Sequence, residues 1–176
     1  FTLDIPSLAD TLHKGSDWYL YGELIVHGGV FDISGRLRLE ANTPKVVVDG
    51  GKIQMGIDFI VGTSNFTAGA EDIIIRGNGV IDAGAQIWRW ATDSLRSDIH
   101  ITDDAKLFVH ADFRGEIETR MARRQILTDS DQVLVVVYPY IVGEDSMTLV
   151  YAKDTAAFAV TPTGQQIVGV NEEADE

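Results

Sequence analysis

With 176 residues, 45% of them hydrophobic and 23% charged, the chain has enough material for one domain with a buried core and is too apolar for a disordered one. Its net charge of −13 sets the surface against nucleic-acid phosphate. There is no cysteine, which excludes disulfides, thiolate catalysis and Cys-ligated zinc, and no run approaches the roughly 18 apolar residues of a membrane helix.

Of the 27 acids 18 are Asp, and Lys supplies only 5 of the 14 bases, a composition suited to high salt, where self-repulsion is screened. The N-terminus shows no basic start ahead of an apolar block, so no signal peptide is read there.

Taken in chain order, a short helix is expected over Ser7–His13, followed by strands at Trp18–Val26, Asp32–Glu40, Lys45–Val48 and Lys52–Phe59. Two of these alternate cleanly. Ile33, Gly35, Leu37 and Leu39 oppose Asp32, Ser34, Arg36, Arg38 and Glu40, and Ile53, Met55, Ile57 and Phe59 oppose Lys52, Gln54, Gly56 and Asp58. Successive strand side chains point to opposite faces, so each segment reads as a half-buried strand. Strands at Asp72–Ile75 and Gly79–Ile81 precede a helix over Gln86–Leu95, and a strand follows at Ile99–Thr102.

The longest alternation runs from Leu107 to Met121, where every odd position is apolar or small. A helix over Glu116–Leu127 competes, but its apolar residues keep no stripe beyond Ile117 and Met121, so an extended arm or long hairpin is expected, with its apolar face buried partly by another subunit. Further strands are expected at Gln132–Val142, Met147–Ala152, Ala156–Thr161 and Gln166–Val170. Val133–Val137 has no alternation and reads as covered on both faces. Turn signals separate these segments at His27-Gly28-Gly29, Asp49-Gly50-Gly51, Gly77-Asn78-Gly79, Gly143-Glu144-Asp145 and Pro162-Thr163-Gly164. The spacing of Gly22, Gly35 and Gly50 suggests a repeat, and antiparallel meanders give the same spacing.

These signals predict a mainly β fold: an antiparallel β-sandwich or barrel with a long extended strand or hairpin and one or two short helices. A short right-handed β-helix or β-roll is the alternative. Residues 1–170 read as a single β-rich domain and 171–176 as an acidic, disordered tail.

Candidate chemistry is sparse. His100 and His110 bracket Asp103 and Asp104, with Asp112 following, but they lack a metal-site spacing, and His110 and Asp112 fall on a polar strand face. The carboxylate pairs Asp103-Asp104 and Asp129-Ser130-Asp131 lie where turns are expected, and Asp favours turns by bonding nearby backbone. Gly77-Asn-Gly lacks the rest of a phosphate loop, and nothing places Ser, His and Asp together as a catalytic triad. Arg120, Arg123 and Arg124 form the only basic cluster, open to the acidic tail, a neighbouring subunit or solvent. Asn65-Phe66-Thr67 matches a glycosylation acceptor, which matters only in an exported chain. No catalytic, cofactor-binding or metal residue is assigned, and no cofactor is expected.

Two local resemblances complete the reading. The stretch Ile73-Ile-Ile-Arg-Gly-Asn-Gly-Val-Ile-Asp-Ala-Gly-Ala-Gln-Ile-Trp88 resembles an early coil of pectin-lyase-like β-helix proteins of the polygalacturonase type, in which such a stretch is structural. That family's catalytic Asp pair and Gly-His-Gly segment have no counterpart downstream. The segment Met147-Thr-Leu-Val-Tyr-Ala-Lys-Asp-Thr-Ala-Ala-Phe-Ala-Val160 is similar to the closing strands of tailed-virus capsid and related virion proteins. Together with the missing chemical site, the long strand and the polar ends, this leads to the expectation of a non-enzymatic structural protein. It would work by self-assembly as a virion capsid, decoration or tail component, with copies of itself and other structural subunits as partners. Neither nucleic acid nor membrane is expected as a partner. The alternative is a cell-surface or secreted carbohydrate-binding or carbohydrate-processing β-helix module, with Trp88 and Trp90 stacking sugars in place of packing in the core.

Overall fold

The computed structural model describes residues 10–40, 45–61, 73–88 and 98–157. The chain winds as a parallel β-solenoid. Its strands in order are β1 (Thr11–Lys14), β2 (Trp18–Leu20), β3 (Glu23–Val26), β4 (Val30–Ile33), β5 (Leu37–Leu39), β6 (Lys45–Asp49), β7 (Lys52–Met55), β8 (Asp58–Ile60), β9 (Ile73–Arg76), β10 (Val80–Asp82), β11 (Gln86–Trp88), β12 (Ile99–Ile101) and β13 (Lys106–Val109). Helix α1 (Arg114–Ala122), β14 (Ile126–Leu127), β15 (Gln132–Val142), β16 (Asp145–Asp154) and a single 3₁₀ turn (Thr155–Ala157) follow.

Each coil contributes one strand to each of three walls, except the last, in which α1 stands between β13 and β14 with no strand on the second wall. The first sheet is ordered β1-β4-β7-β10-β13-β16-β15, the second β11-β8-β5-β2, and the third β14-β12-β9-β6-β3. Among the described residues every strand pairing between coils is parallel, apart from an isolated antiparallel bridge between Asp58 and Gly84, and β16 runs antiparallel to β13 and β15.

The winding is held by stacks of like side chains. On the third sheet Leu24, Val46, Ile73, Ile99 and Ile126 stand in register, and on the first Phe31, Ile53, Ile81, Leu107 and Val150 do the same. All of these are at most 2% exposed and belong to one core. Each buried aliphatic contributes about 1.5–3 kcal/mol of transfer free energy. α1 closes the C-terminal end, with Ile117 fully buried and Phe113 and Met121 packed against the core beside Leu134 and Val136. Among the described residues no helix is long and apolar enough to cross a membrane.

The antiparallel sandwich or barrel is therefore overturned, although the mainly β character stands. Period-two alternation is the same for parallel and antiparallel neighbours; the turn signals at 27–29, 49–51 and 77–79 are corners of the coil, and the one at 143–145 turns the antiparallel pair β15–β16. Asp32–Glu40 is two strands, β4 and β5, and Lys52–Phe59 is β7 and β8. Ile33, Gly35 and Leu37 are all buried, so the inward phase runs through the corner. Gly22, Gly35 and Gly50 lie at three different corners, so their spacing counts sides of a coil and not whole coils.

Leu107–Met121 is not one extended arm: β13 ends at Val109 and α1 begins at Arg114. A helix starting there has a stripe the Glu116–Leu127 alternative lacked, because Phe113, Ile117 and Met121 recur every four residues. Arg120 also reaches back to Glu116 at 2.7 Å, one helical turn away. The helix expected over Gln86–Leu95 is strand β11 as far as Trp88, and of Ser7–His13 the residues from Thr11 on belong to β1. The strand expected from Ala156 starts in the 3₁₀ turn. Val133–Val137 is half-buried throughout, since it lies in an edge strand and has no cover on both faces. Asn65, Trp90, Pro162–Gly164, Gln166–Val170 and the 171–176 tail lie outside the described residues.

Candidate functional site on the first sheet

The first sheet offers two features: a polar row on its outer face and an uncharged strand at its edge. With Phe31, Ile53 and Ile81 turned inward, the residues after them turn outward, and the register aligns His13, Asp32, Gln54 and Asp82 across β1, β4, β7 and β10. The Nδ1 of His13 meets Asp32 Oδ2 at 2.6 Å, and Gln54 Nε2 donates to Asp32 Oδ1 at 2.8 Å. The Gln54 bond first and the His13 bond second hold the Asp32 carboxyl below its ordinary value of 3.8.

Further along, His110 Nε2 lies 2.8 Å from Asp82 Oδ1, and the Gly84 amide donates to the same oxygen at 3.3 Å. Asp32, Gln54, Asp82 and His110 line a shallow cleft of about 350 Å³. Beyond it the Phe108 and Tyr140 rings meet at 5.8 Å. Strands two apart in a sheet are separated by about 9.6 Å (twice the 4.7–4.9 Å spacing). The row thus offers hydrogen-bonding groups at regular intervals, each already engaged with its neighbour. At the adjoining corner Arg36 lies between two acids, 3.1 Å from Asp58 and 3.5 Å from Asp17, and this raises its pKa, chiefly through Asp58. That stack ties three coils together.

The structure scatters the residues considered as metal ligands. His100 is on the third sheet, 3.2 Å from Asp129, whereas His110 is on the first with Asp82. Asp112 is bound to Arg114 at 3.2 Å, which lowers its pKa. Asp103 sits in a corner at φ 57°, in the left-handed region, and its carboxylate accepts from the Gly77 amide at 2.9 Å. Asp129 to Asp131 occupy the turn into β15. Among the described residues no three His, Asp or Glu side chains are grouped to hold a metal. Arg120 is forked onto Glu116 within its own helix, and Gly77-Asn-Gly is another corner of the coil.

At the sheet's edge, β15 is the outermost strand. Leu134 and Val136 pack against the core, so Val133, Val135 and Val137 project from the other face. No residue from Gln132 to Gly143 is charged. The hairpin tip leaves Ile141 58% and Val142 48% exposed.

Sequence reasoning did not single out Asp32, Gln54 and Asp82 as a group. Each looks like an ordinary solvated strand residue, and only the register between coils aligns them. Comparison with protein-family models, curated proteins and solved structures gives no match for this chain.

Proposed function

We propose that the chain is a non-enzymatic structural module that works by self-assembly, as a capsid, decoration or tail component of a virion. The observation that carries this reading is β15: an eleven-residue, uncharged edge strand with an exposed apolar tip. Soluble proteins normally blunt such edges with charge, proline or a covering element, because open N–H and C=O groups recruit further strands. Within β15 such devices are confined to Pro139 and the register shift between Val137 and Tyr140, which leaves the stretch 132–137 without one. The resemblance at Met147–Val160, most of which lies in β16 beside this edge, supplies the virion context. Sedimentation and negative-stain imaging of the purified chain test the proposal. Defined oligomers, rings, tubes or shells are expected, and a monomer at all concentrations would refute it.

The polar cleft favours a second reading, a carbohydrate-binding module at a cell surface or outside the cell. A row of amide, imidazole and carboxylate groups beside two aromatic rings suits the hydroxyls and apolar faces of sugars. Titration of neutral and acidic oligosaccharides, followed by NMR shifts at Gln54 and His110, tests it. Shifts confined to these residues and lost in Gln54→Ala support it; unshifted spectra across the series rule it out.

A further inference from the structure

Resting on the self-assembly reading, we infer that β15 pairs with β15 of a second copy of this chain, antiparallel about a two-fold axis through Val135, which joins the two seven-stranded sheets into one. Three observations select this partner and this register.

First, among the described residues the outer edge of β15 is unpaired. Among the described residues, β16 is the sole strand paired with β15, and the only other backbone bond from the strand is Gln132 N to Asp129 O at its start. The ladder groups on the far side therefore suit another extended strand.

Second, the strand is complementary to itself. Strand pairing sets inward residues opposite inward ones, so a two-fold axis must pass through a residue and not between two. An axis at Val135 sets Leu134 opposite the second copy's Val136 on the core face, and Val133 opposite the second copy's Val137 on the outer face. All five positions are aliphatic, and Pro139, which has no N–H to give, falls outside the paired segment. Moving the axis to Val136 would set Pro139 opposite Val133 and place a residue with no donor inside the ladder.

Third, the electrostatics favour this strand. Two copies each carrying −13 repel, so contact is least opposed where neither brings charge, and Gln132 to Gly143 brings none. The same repulsion makes the contact salt-dependent. It strengthens as the Debye length falls from about 10 Å at 0.1 M to about 3 Å at 1 M salt.

The absence of native cysteine allows a direct test of the register. Directly opposed residues have Cβ atoms about 4.5–5.5 Å apart, so Val135→Cys should give a covalent dimer with a short bis-maleimide. Val142→Cys, an exposed control seven residues along the strand, should give none. Sedimentation of the unmodified chain should show dimer rising with NaCl. Val135→Lys opposes two lysines across the axis and should weaken dimerisation at least tenfold with an unchanged circular dichroism spectrum. Mixing Val135→Lys with Val135→Glu should restore it. If Val135→Lys does not fold, the Val135→Cys cross-link decides alone. Oligomers that persist in folded Val135→Lys, or that cross-link through residue 142 and not 135, overturn the β15 contact and leave self-assembly standing. A monomer at every salt concentration overturns both.

Discussion

The coils and the terminal hairpin are both β structure, but they solve the problem of burial differently. In the coils each strand is three to five residues long, apart from the two-residue β14, and its inward residue is covered by the strands above and below. Ile73, Ile75, Ile99 and Ile101 are all 0% exposed. In the hairpin the strands run to eleven and ten residues, and no residue of β15 is fully buried, because nothing described stacks beyond it. Repetition closes a core at every interior coil and, among the described residues, leaves the last strand with one side uncovered. Solenoids meet this with terminal caps. Here α1 caps the core, while among the described residues nothing pairs with the β15 edge of the first sheet.

The largest test of that contrast replaces one isoleucine in each region by aspartate. Ile117 is 0% exposed within the core cluster, and Ile141 is 58% exposed at the hairpin tip. Ile117→Asp buries an unpaired charge and should destabilise the chain by more than about 4 kcal/mol, enough to unfold it. Ile141→Asp should stay within about 0.5 kcal/mol of the parent. Urea denaturation followed by circular dichroism reads both. A folded, unassembled Ile117→Asp chain would show that α1 is a peripheral arm and not the cap.

A second contrast uses two glycines with nearly the same backbone, Gly84 at φ 68° and Gly143 at φ 63°. A Cβ on Gly84 would lie 2.4 Å from the Ile57 carbonyl oxygen of the coil beneath, whereas on Gly143 it would meet nothing within 4 Å. Both alanine variants carry the left-handed penalty of about 1–2 kcal/mol. Gly84→Ala adds a clash worth roughly 1–3 kcal/mol more. Thermal melts should therefore rank Gly84→Ala well below Gly143→Ala. Equal losses would mean that the coils do not approach each other so closely at this corner.

How far the sequence announced this arrangement depends on which interaction carries each part. The inward residues Ile33, Leu37, Leu39, Ile53, Met55 and Phe59 were legible, because pleat alternation is local; Ile57, expected inward, is 38% exposed and Asp58, expected outward, is buried, because the alternation breaks at the corner between β7 and β8. The direction of pairing was hidden, since it depends on what lies one coil away. The hairpin strand Gln132–Val142 was legible to the residue, and its half-buried state was not, because a run of valines reads alike in a central strand and at an edge. α1 was missed through its boundary: only a start at Arg114 gathers Phe113 with Ile117 and Met121. The row of His13, Asp32, Gln54 and Asp82 had no local signature, for its members are brought together by register alone.

The smallest effect concerns acid. β15 carries no carboxylate, whereas Asp32 in the coils accepts from Gln54 and pairs with His13, and its folded-state pKa is lowered. A depressed carboxyl pKa contributes stability above its unfolded value of 3.8, and this is lost as pH falls through the lower folded value. Asp112, exposed and lowered by Arg114, titrates in the same direction, so the wild-type pH profile alone does not isolate Asp32. The difference between wild type and Asp32→Asn does. At neutral pH the variant should melt slightly lower, and the gap should close as the solution is acidified below 3.8, where the wild-type carboxyl becomes neutral as well. Melting the two proteins in parallel across that range measures the gap. A gap that stays constant through acid pH would mean that the asparagine side chain is penalised by its shape in the row, and that the ionised carboxylate of Asp32 does not stabilise these coils.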